Sequence, residues 1–248
     1  MSTNNKVCQE SASNPPACAN RSTVLSLDLD YFNYYLNLES LDQVFSRILT
    51  LNVPMLLVDS HEKLVGFINR YKFDTLINMD EHSDMMSISE SKKHCGSWVN
   101  FINHDNQSRT YIWLVPSTRL SSDTGVTCDV PSGRCDGIPG FYTAEKEHLR
   151  PWRKVKRTST QRVINWREVK CVGIALSRDY TMSVISRYFE KTWLDKLLVK
   201  GIKLGGDVRD KEFFERRRAS LIAGKIPYRT EEVCHTGQQI QKISQERY

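Results

Sequence analysis

Three short apolar runs near the start of the chain each end in side chains that can hold a cation. Val24–Phe32 carries Asp28 and Asp30, and Pro54–Glu62 ends in Asp59, His61 and Glu62. Phe73–Ile77 leads into Asp80, His82 and Asp84, placed at every second position. On an extended backbone, residues two apart face the same side, so such a triad converges on one spot. In open α/β sheets the rim at the carboxyl ends of the strands is where ligands bind. A chain that delivers acids and histidines to three strand ends is therefore expected to gather them at one place.

The segments between these runs have helical periodicity. Leu38–Leu51 places Leu41, Val44, Phe45, Ile48 and Leu49 on one face, with Ser40 as the expected N-cap, and Glu62–Tyr71 reads as a short helix. Strand, helix, strand, helix, strand is the pattern of a parallel sheet. Thr110–Val115 and Glu168–Leu176 are further expected strands, and Thr181–Leu198 and Asp207–Ala223 further helices. Residues 117–140, rich in Ser, Gly, Pro and Asp, read as one long loop that covers the site. Residues 1–22 and 236–248 read as polar tails, which leaves one α/β domain over 23–235, a length ordinary for that class.

Composition narrows the function. No apolar run approaches the ~20 residues of a membrane helix, and no basic segment followed by an apolar one opens the chain. The expected location is the cytoplasm. The seven cysteines have no metal-type spacing and read as reduced thiols. The formal net charge of +6 favours an acidic partner, whether nucleic acid, a phosphorylated ligand or an acidic peptide. A nucleic-acid binder resting on Arg150–Arg162 and Arg216–Arg218 would leave the acid clusters without a role, so no nucleic-acid partner is expected. The sequence leaves self-association open.

Asp28, Asp30, Asp80 and Asp84 bring four negative charges, and His61 and His82 bring two imidazoles. Uncompensated, clustered carboxylates raise one another's pKa. Two divalent cations would neutralise them, and the oxygen-plus-imidazole donor set suits Mn, Fe, Co or Zn. Taken singly, an Asp-x-Asp is a cap or an ion pair, and His61 a hydrogen-bonded loop histidine. Three such strand ends within about sixty residues point instead to a metal site.

Asp80-Glu81-His82-Ser83-Asp84 resembles the Asp-x-His-x-Asp signature of the ureohydrolases, which include arginase and agmatinase. His61 matches their first metal-binding histidine, and Asp28-Leu29-Asp30 their Asp-x-Asp, which here comes first rather than last. The usual proline after that motif and a full Gly-Gly-x-His-Ser around the histidine are missing. The permuted order, with Leu27–Phe32, Cys95–Phe101 and Gly173–Thr181, is similar to the peptide arginases, which convert arginine to ornithine within ribosomally made peptides.

The resemblance spans most of residues 24–190. It implies a three-layer arginase-like fold with a mostly parallel central sheet, helices on both faces and a manganese pair at the carboxyl ends of the strands. One manganese would be held by Asp28, His61, Asp80 and Asp84, the other by Asp28, Asp30, Asp80 and His82.

The implied reaction is attack of a hydroxide held by both metals on the guanidino carbon, releasing urea. Asp84 would orient the nucleophile. His94 is the candidate proton donor, with His104 its rival, and Glu62 and Asp179 are candidates to pair with the guanidinium in a fork; helix capping explains those two equally well. The implied partner is a precursor peptide with an acidic leader, for which residues 150–170 are a candidate docking surface. The alternatives are hydrolysis of a free guanidino compound (arginine, agmatine or a guanidino acid) and metal-dependent deacetylation.

Overall fold

The computed structural model describes residues 22–33, 36–85, 93–103, 109–116, 126–129, 152 and 154–228, with 126–129 and 154 as backbone alone. The strands are β1 (Thr23–Asp28), β2 (Met55–Val58), β3 (Thr75–Met79), β4 (Thr110–Leu114), β5 (Val126–Asp129), β6 (Lys154–Thr158), β7 (Val169–Ala175) and β8 (Lys203–Leu204). Among the described residues they form an eight-stranded sheet in the order β5-β6-β4-β3-β1-β7-β2-β8. Every pairing is parallel except β5 with β6 at one edge. β1 lies between β3 and β7, so chain order and sheet order diverge around it. Such a switch point opens a crevice beyond the carboxyl ends of the strands. The expected α/β class with a mostly parallel sheet is what the chain adopts.

Alternation along the strands sorts side chains to two faces. Leu25, Leu27 and Leu29 pack on one face with Leu41, Val44, Phe45 and Ile48 of helix α1 (Leu38–Thr50). Phe45 also meets Phe189 at 5.0 Å and Trp193 at 5.9 Å. On the other face Val24, Val58 and Leu76 meet Leu64, Val65, Phe67 and three tryptophans, Trp98, Trp113 and Trp152. Ser26 and Asp28 share that second face with Val24, so the polar positions of β1 point where the tryptophans are.

Several expected elements are redrawn. Asn37, not Ser40, caps α1: its side-chain oxygen accepts from Ser40 N at 3.1 Å. Glu62–Tyr71 is a 3-10 turn over His61–Leu64 followed by one α-turn, α2 (Val65–Ile68). The helix expected over Thr181–Leu198 is α3 (Ser183–Phe189), a π turn over Glu190–Leu194, and α4 (Asp195–Lys200), which stops at Gly201 with φ 96°. The last helix, α5, covers Lys211–Ile222 rather than starting at Asp207, because the Asp207 carboxylate instead accepts from Asp59 N and Ser60 N.

The long loop over 117–140 contains β5, and the basic segment contains β6. Arg157 is buried with its guanidinium 4.9 Å from the Trp113 ring, so part of the expected docking surface is sheet. The rest of the 117–140 loop, Arg150, Arg153, residues 1–21 of the first tail and the whole of the second lie outside the described residues, while Ser22 is tied to the sheet, its carbonyl accepting from Asp74 N and Thr75 N. No helix among the described residues is long and apolar enough to cross a membrane.

One glycine couples the sheet to the turn that carries His61. A Cβ on Gly173 of β7 would stand 2.8 and 2.9 Å from the two δ-carbons of Leu64, in that same 3-10 turn. Gly173→Ala is therefore expected to destabilise the fold by about 1–3 kcal/mol through overpacking. Trimming the partner, Leu64→Val, should recover part of that loss in the double variant. Urea denaturation of the single and double variants checks both; strictly additive losses would mean that Leu64 does not meet the new methyl group.

Candidate metal centre

Each of the three strands on this rim ends in a turn that re-aims its polar side chains. β1 runs into a 3-10 turn over Leu29–Phe32, and Asp28 Oδ1 caps it by accepting from Asp30 N at 3.1 Å. After β2, Asp207 Oδ2 holds the amides of Asp59 and Ser60 at 3.1 and 2.9 Å, and His61 opens the next turn. After β3 the chain bends rather than continuing extended, so strand alternation is not what brings the triad together. Asp80 Oδ1 accepts from His82 N at 2.7 Å, an Asx-type turn, and Asp84 adopts φ 52°. A non-glycine residue in that region is strained, and such strain clusters at functional sites.

The six expected ligands come together. His61 Nδ1 lies 3.1 Å from Asp28 Oδ2, 3.2 Å from Asp80 Oδ2 and 3.1 Å from Asp84 Oδ2. His82 Nδ1 lies 3.2 Å from Asp30 Oδ2 and 3.7 Å from Asp80 Oδ1. Asp80 thus faces one histidine with each oxygen. Asp28, Asp30, His61, Asp80 and Asp84 are buried, while His82 is half exposed at the rim.

The buried group of aspartates and histidines fits a cation on three counts. His61 Nδ1 is buried and makes no hydrogen bond despite three oxygens around it, because none lies along its N–H direction. Donors bound to one cation at ~2.1 Å and about right angles stand roughly 3 Å apart, which is the spacing around His61. The donors also form two groups, Asp28 with His61 and Asp80, and Asp30 with Asp80 and His82, each with its ligand atoms within 4.8 Å of one another.

The electrostatics of the bare site are those of uncompensated charge. Burial, then Asp28 and Asp80, push the Asp30 carboxyl well above the ordinary range. Burial and Asp80 do the same to Asp84. Burial would raise Asp80 too, but the two imidazoles beside it hold it far below the usual value. Asp30 and Asp80 push His82 up to about 11. For His61, burial pulls down and is outweighed by Asp28, Asp80 and Asp84, so it too is raised.

A set of neighbours absent from the sequence-level expectation fixes these donors. Ser26 Oγ is 2.7 Å from His61 Nε2, which turns Nδ1 toward the carboxylates. Ser177, itself at φ 41°, donates to Asp28 Oδ2 at 2.5 Å. Trp98 Nε1 donates to Asp84 Oδ2, and its ring lies 4.6 Å from that of His61. Asn78 donates to Asp80 Oδ2 at 3.2 Å, and Trp113 Nε1 donates to the Asp80 carbonyl at 3.0 Å. A serine two residues before Asp28 inside an apolar strand was the visible signal for Ser26. Trp98 and Ser177 lie in Cys95–Phe101 and Gly173–Thr181, two of the stretches that carry the resemblance, but only the fold turns the tryptophan N–H groups inward.

A cavity of about 260 Å³ opens above the cluster. His94 lines it, and Gly96 N donates to its Nδ1 at 3.2 Å, which assigns the proton of the neutral ring to Nε2. Glu62 and Asp179 are not on the lining: Glu62 accepts from Ser60 Oγ beside Lys63, and Asp179 points to solvent, 3.7 Å from Arg209. Glu81, inside the sequence motif but given no role there, does line the cavity. His104 lies outside the described residues. Cys95 and Cys171, the cysteines whose side chains are described, are free thiols. Compared with known protein families, curated proteins and solved structures, the chain finds no match.

Protons and cations compete for these donors, so cation binding must release protons and strengthen with pH. The raised Asp30 and Asp84 also mean that the metal-free fold takes up protons and loses stability as pH rises above the ordinary carboxylate value. Manganese is therefore expected to raise Tm more at about pH 7.5 than at about pH 5. Asp80→Asn, which weakens both groups at once, should remove most of the shift. Thermal scans with and without manganese check this; an equal shift in the variant would place the cation elsewhere.

Proposed function

We propose that the protein hydrolyses the guanidino group of arginine residues within a peptide, giving ornithine and urea, at a pair of divalent cations. The observation that carries this reading is the buried, hydrogen-bond-free His61 Nδ1 facing three carboxylates beside a second Asp–His group that shares Asp80. The parallel sheet with these donors at the carboxyl ends of its strands supports an arginase-like fold. Asp28, His61, Asp80 and Asp84 would hold one cation, and Asp30, Asp80 and His82, with Asp28, the other. Manganese is the metal the resemblance implies. When bound, such a pair supplies Lewis acidity and lowers the pKa of a shared water.

The chain's own groups would do the rest. A guanidinium is delocalised and permanently charged, hence a poor electrophile; an acid-lined cavity attracts it and holds it in place. Glu81, which lines the cavity where Glu62 and Asp179 do not, would be the residue to pair with it. Asp84, its side chain fixed by Trp98, orients the attacking water. His94 lines the cavity wall, where its ring, once it has taken up the proton that the attacking water loses, would pass that proton to the departing amine. The new C–O bond and the broken C–N bond leave urea and a protonated ornithine side chain.

Charge chooses among substrates. The lining contains five carboxylates, Asp28, Asp30, Asp80, Glu81 and Asp84, and no Lys or Arg among the described residues. A free amino acid brings an α-carboxylate for which the described lining offers no Lys or Arg partner, whereas an arginine inside a peptide carries only neutral amides there. The net charge of +6 over the chain suits a precursor with an acidic leader. Agmatine, which has no carboxylate, is the second reading that the same lining favours.

With manganese, a blocked arginine peptide is expected to lose about 42 Da per processed residue, the mass of cyanamide, with stoichiometric urea. Free arginine should be turned over at least about tenfold less efficiently. His94→Ala should lower kcat by about 10²-fold, as for loss of a general acid. Mass spectrometry with a urea assay decides: an unchanged peptide mass across a panel of arginine peptides and agmatine would reject guanidino hydrolysis.

A further inference from the structure

Two of the large apolar side chains left exposed lie two residues apart in one loop, and one of them, Tyr180, stands at the cavity. Tyr180 is 59% exposed and Met182 47% exposed, in the loop that follows β7. Tyr180 also lines the cavity; its ring centre is 6.4 Å from that of His82, and its hydroxyl is 3.8 Å from Cys95 Sγ on the opposite lip. Exposed aromatic surface beside a site is a common mark of a contact surface.

The loop is held rigidly. Asn33 Nδ2 donates to the Tyr180 carbonyl at 2.9 Å, and Asn33 Oδ1 accepts from Met182 N at 2.8 Å. One amide side chain thus clamps the backbone on both sides of Thr181, whose hydroxyl donates to the Leu176 carbonyl at 2.8 Å. Tyr180 N and Thr181 N both donate to the Ser177 carbonyl at 2.8 Å. Asn33 directly follows the turn that carries Asp30, and Ser177 is bonded to Asp28. The shelf and the acid cluster are therefore anchored to the same piece of chain.

We propose that Tyr180, with Met182 beside it, is the shelf on which the peptide flanking the reacting arginine rests, and that it sets specificity for a peptide over a free guanidino compound. This rests on the reading of the cavity as a guanidinium site. A cavity of about 260 Å³ takes one side chain and leaves the body of a peptide outside. Tyr180, exposed on that lining, offers that body an apolar face. A tyrosine on a clamped backbone offers a large flat face and, with only two side-chain torsions, little rotamer freedom to lose, which makes it an efficient contact for backbone amides and apolar side chains. A compound no larger than agmatine ends before reaching it.

The test uses the full-length, manganese-loaded protein with two ligands, acetyl-Ala-Leu-Arg-Leu-Ala-amide and agmatine. Equilibrium binding is read by calorimetry, and turnover is measured in parallel. Tyr180→Ala is expected to weaken pentapeptide binding and raise its KM about tenfold, with kcat and agmatine affinity changed less than about twofold. Tyr180→Phe, which keeps the ring, should behave like the parent. Asn33→Ala, which keeps the ring but frees the loop, should fall between. Unchanged pentapeptide affinity in Tyr180→Ala overturns the shelf, as does an equal loss for agmatine or a loss confined to kcat. A parent protein that binds neither ligand also overturns it. Binding of the pentapeptide with the expected loss in Tyr180→Ala but no turnover would keep the shelf and refute the hydrolysis.

Discussion

Four aspartates buried together, three of them around one imidazole nitrogen, are the constraint that the rest of this rim answers to. Like charges a few ångströms apart in a low-dielectric interior repel strongly, and nothing in an ordinary core would gather them. The fold does so because β1, β2 and β3 run parallel and release their chains at one rim. β1 is central, so its terminal Asp28 stands between the turn that brings His61 and the bend that brings Asp80 and Asp84. Burial and mutual repulsion hold the carboxyls of Asp30 and Asp84 above their ordinary range, and a cation would relieve that repulsion.

The surrounding polar contacts set the donors in place before any cation arrives. Ser26 fixes the ring of His61, Trp98 the side chain of Asp84, Ser177 that of Asp28, and Asn78 that of Asp80. Such outer contacts orient ligands and tune their basicity. Two of the anchoring residues, Asp84 and Ser177, sit at positive φ. The backbone is thus held in costly conformations on both sides of the cluster, which the packing of Leu64 on Gly173 and the tryptophan layer can sustain.

Much of this was legible in the chain. Apolar runs ending in Asp28, His61 and Asp80 announce parallel strands feeding one rim, since period and strand polarity are local properties. Where the reading failed, a distant partner decided. Asp207 looks like a helix start but is taken up by amides of residues 59 and 60. The basic run at 154–158 reads as part of a docking surface but pairs with β4, with Arg157 against Trp113. Glu62 and Asp179 stand at strand ends like the ligands, yet neighbouring Ser60 and Arg209 take them away from the cavity. Even the triad converges through a bend held by Asp80 rather than by strand alternation, so the right residues were found by a spacing whose geometry differs.

The most direct examination of the central claim is an anomalous-scattering map from crystals grown with manganese. The account requires two peaks ~3.5–4 Å apart, one among Asp28, His61, Asp80 and Asp84 and the other among Asp30, Asp80 and His82. A map with no peak there, in which His61 Nδ1 instead donates a hydrogen bond to one of the three carboxylates, would contradict it.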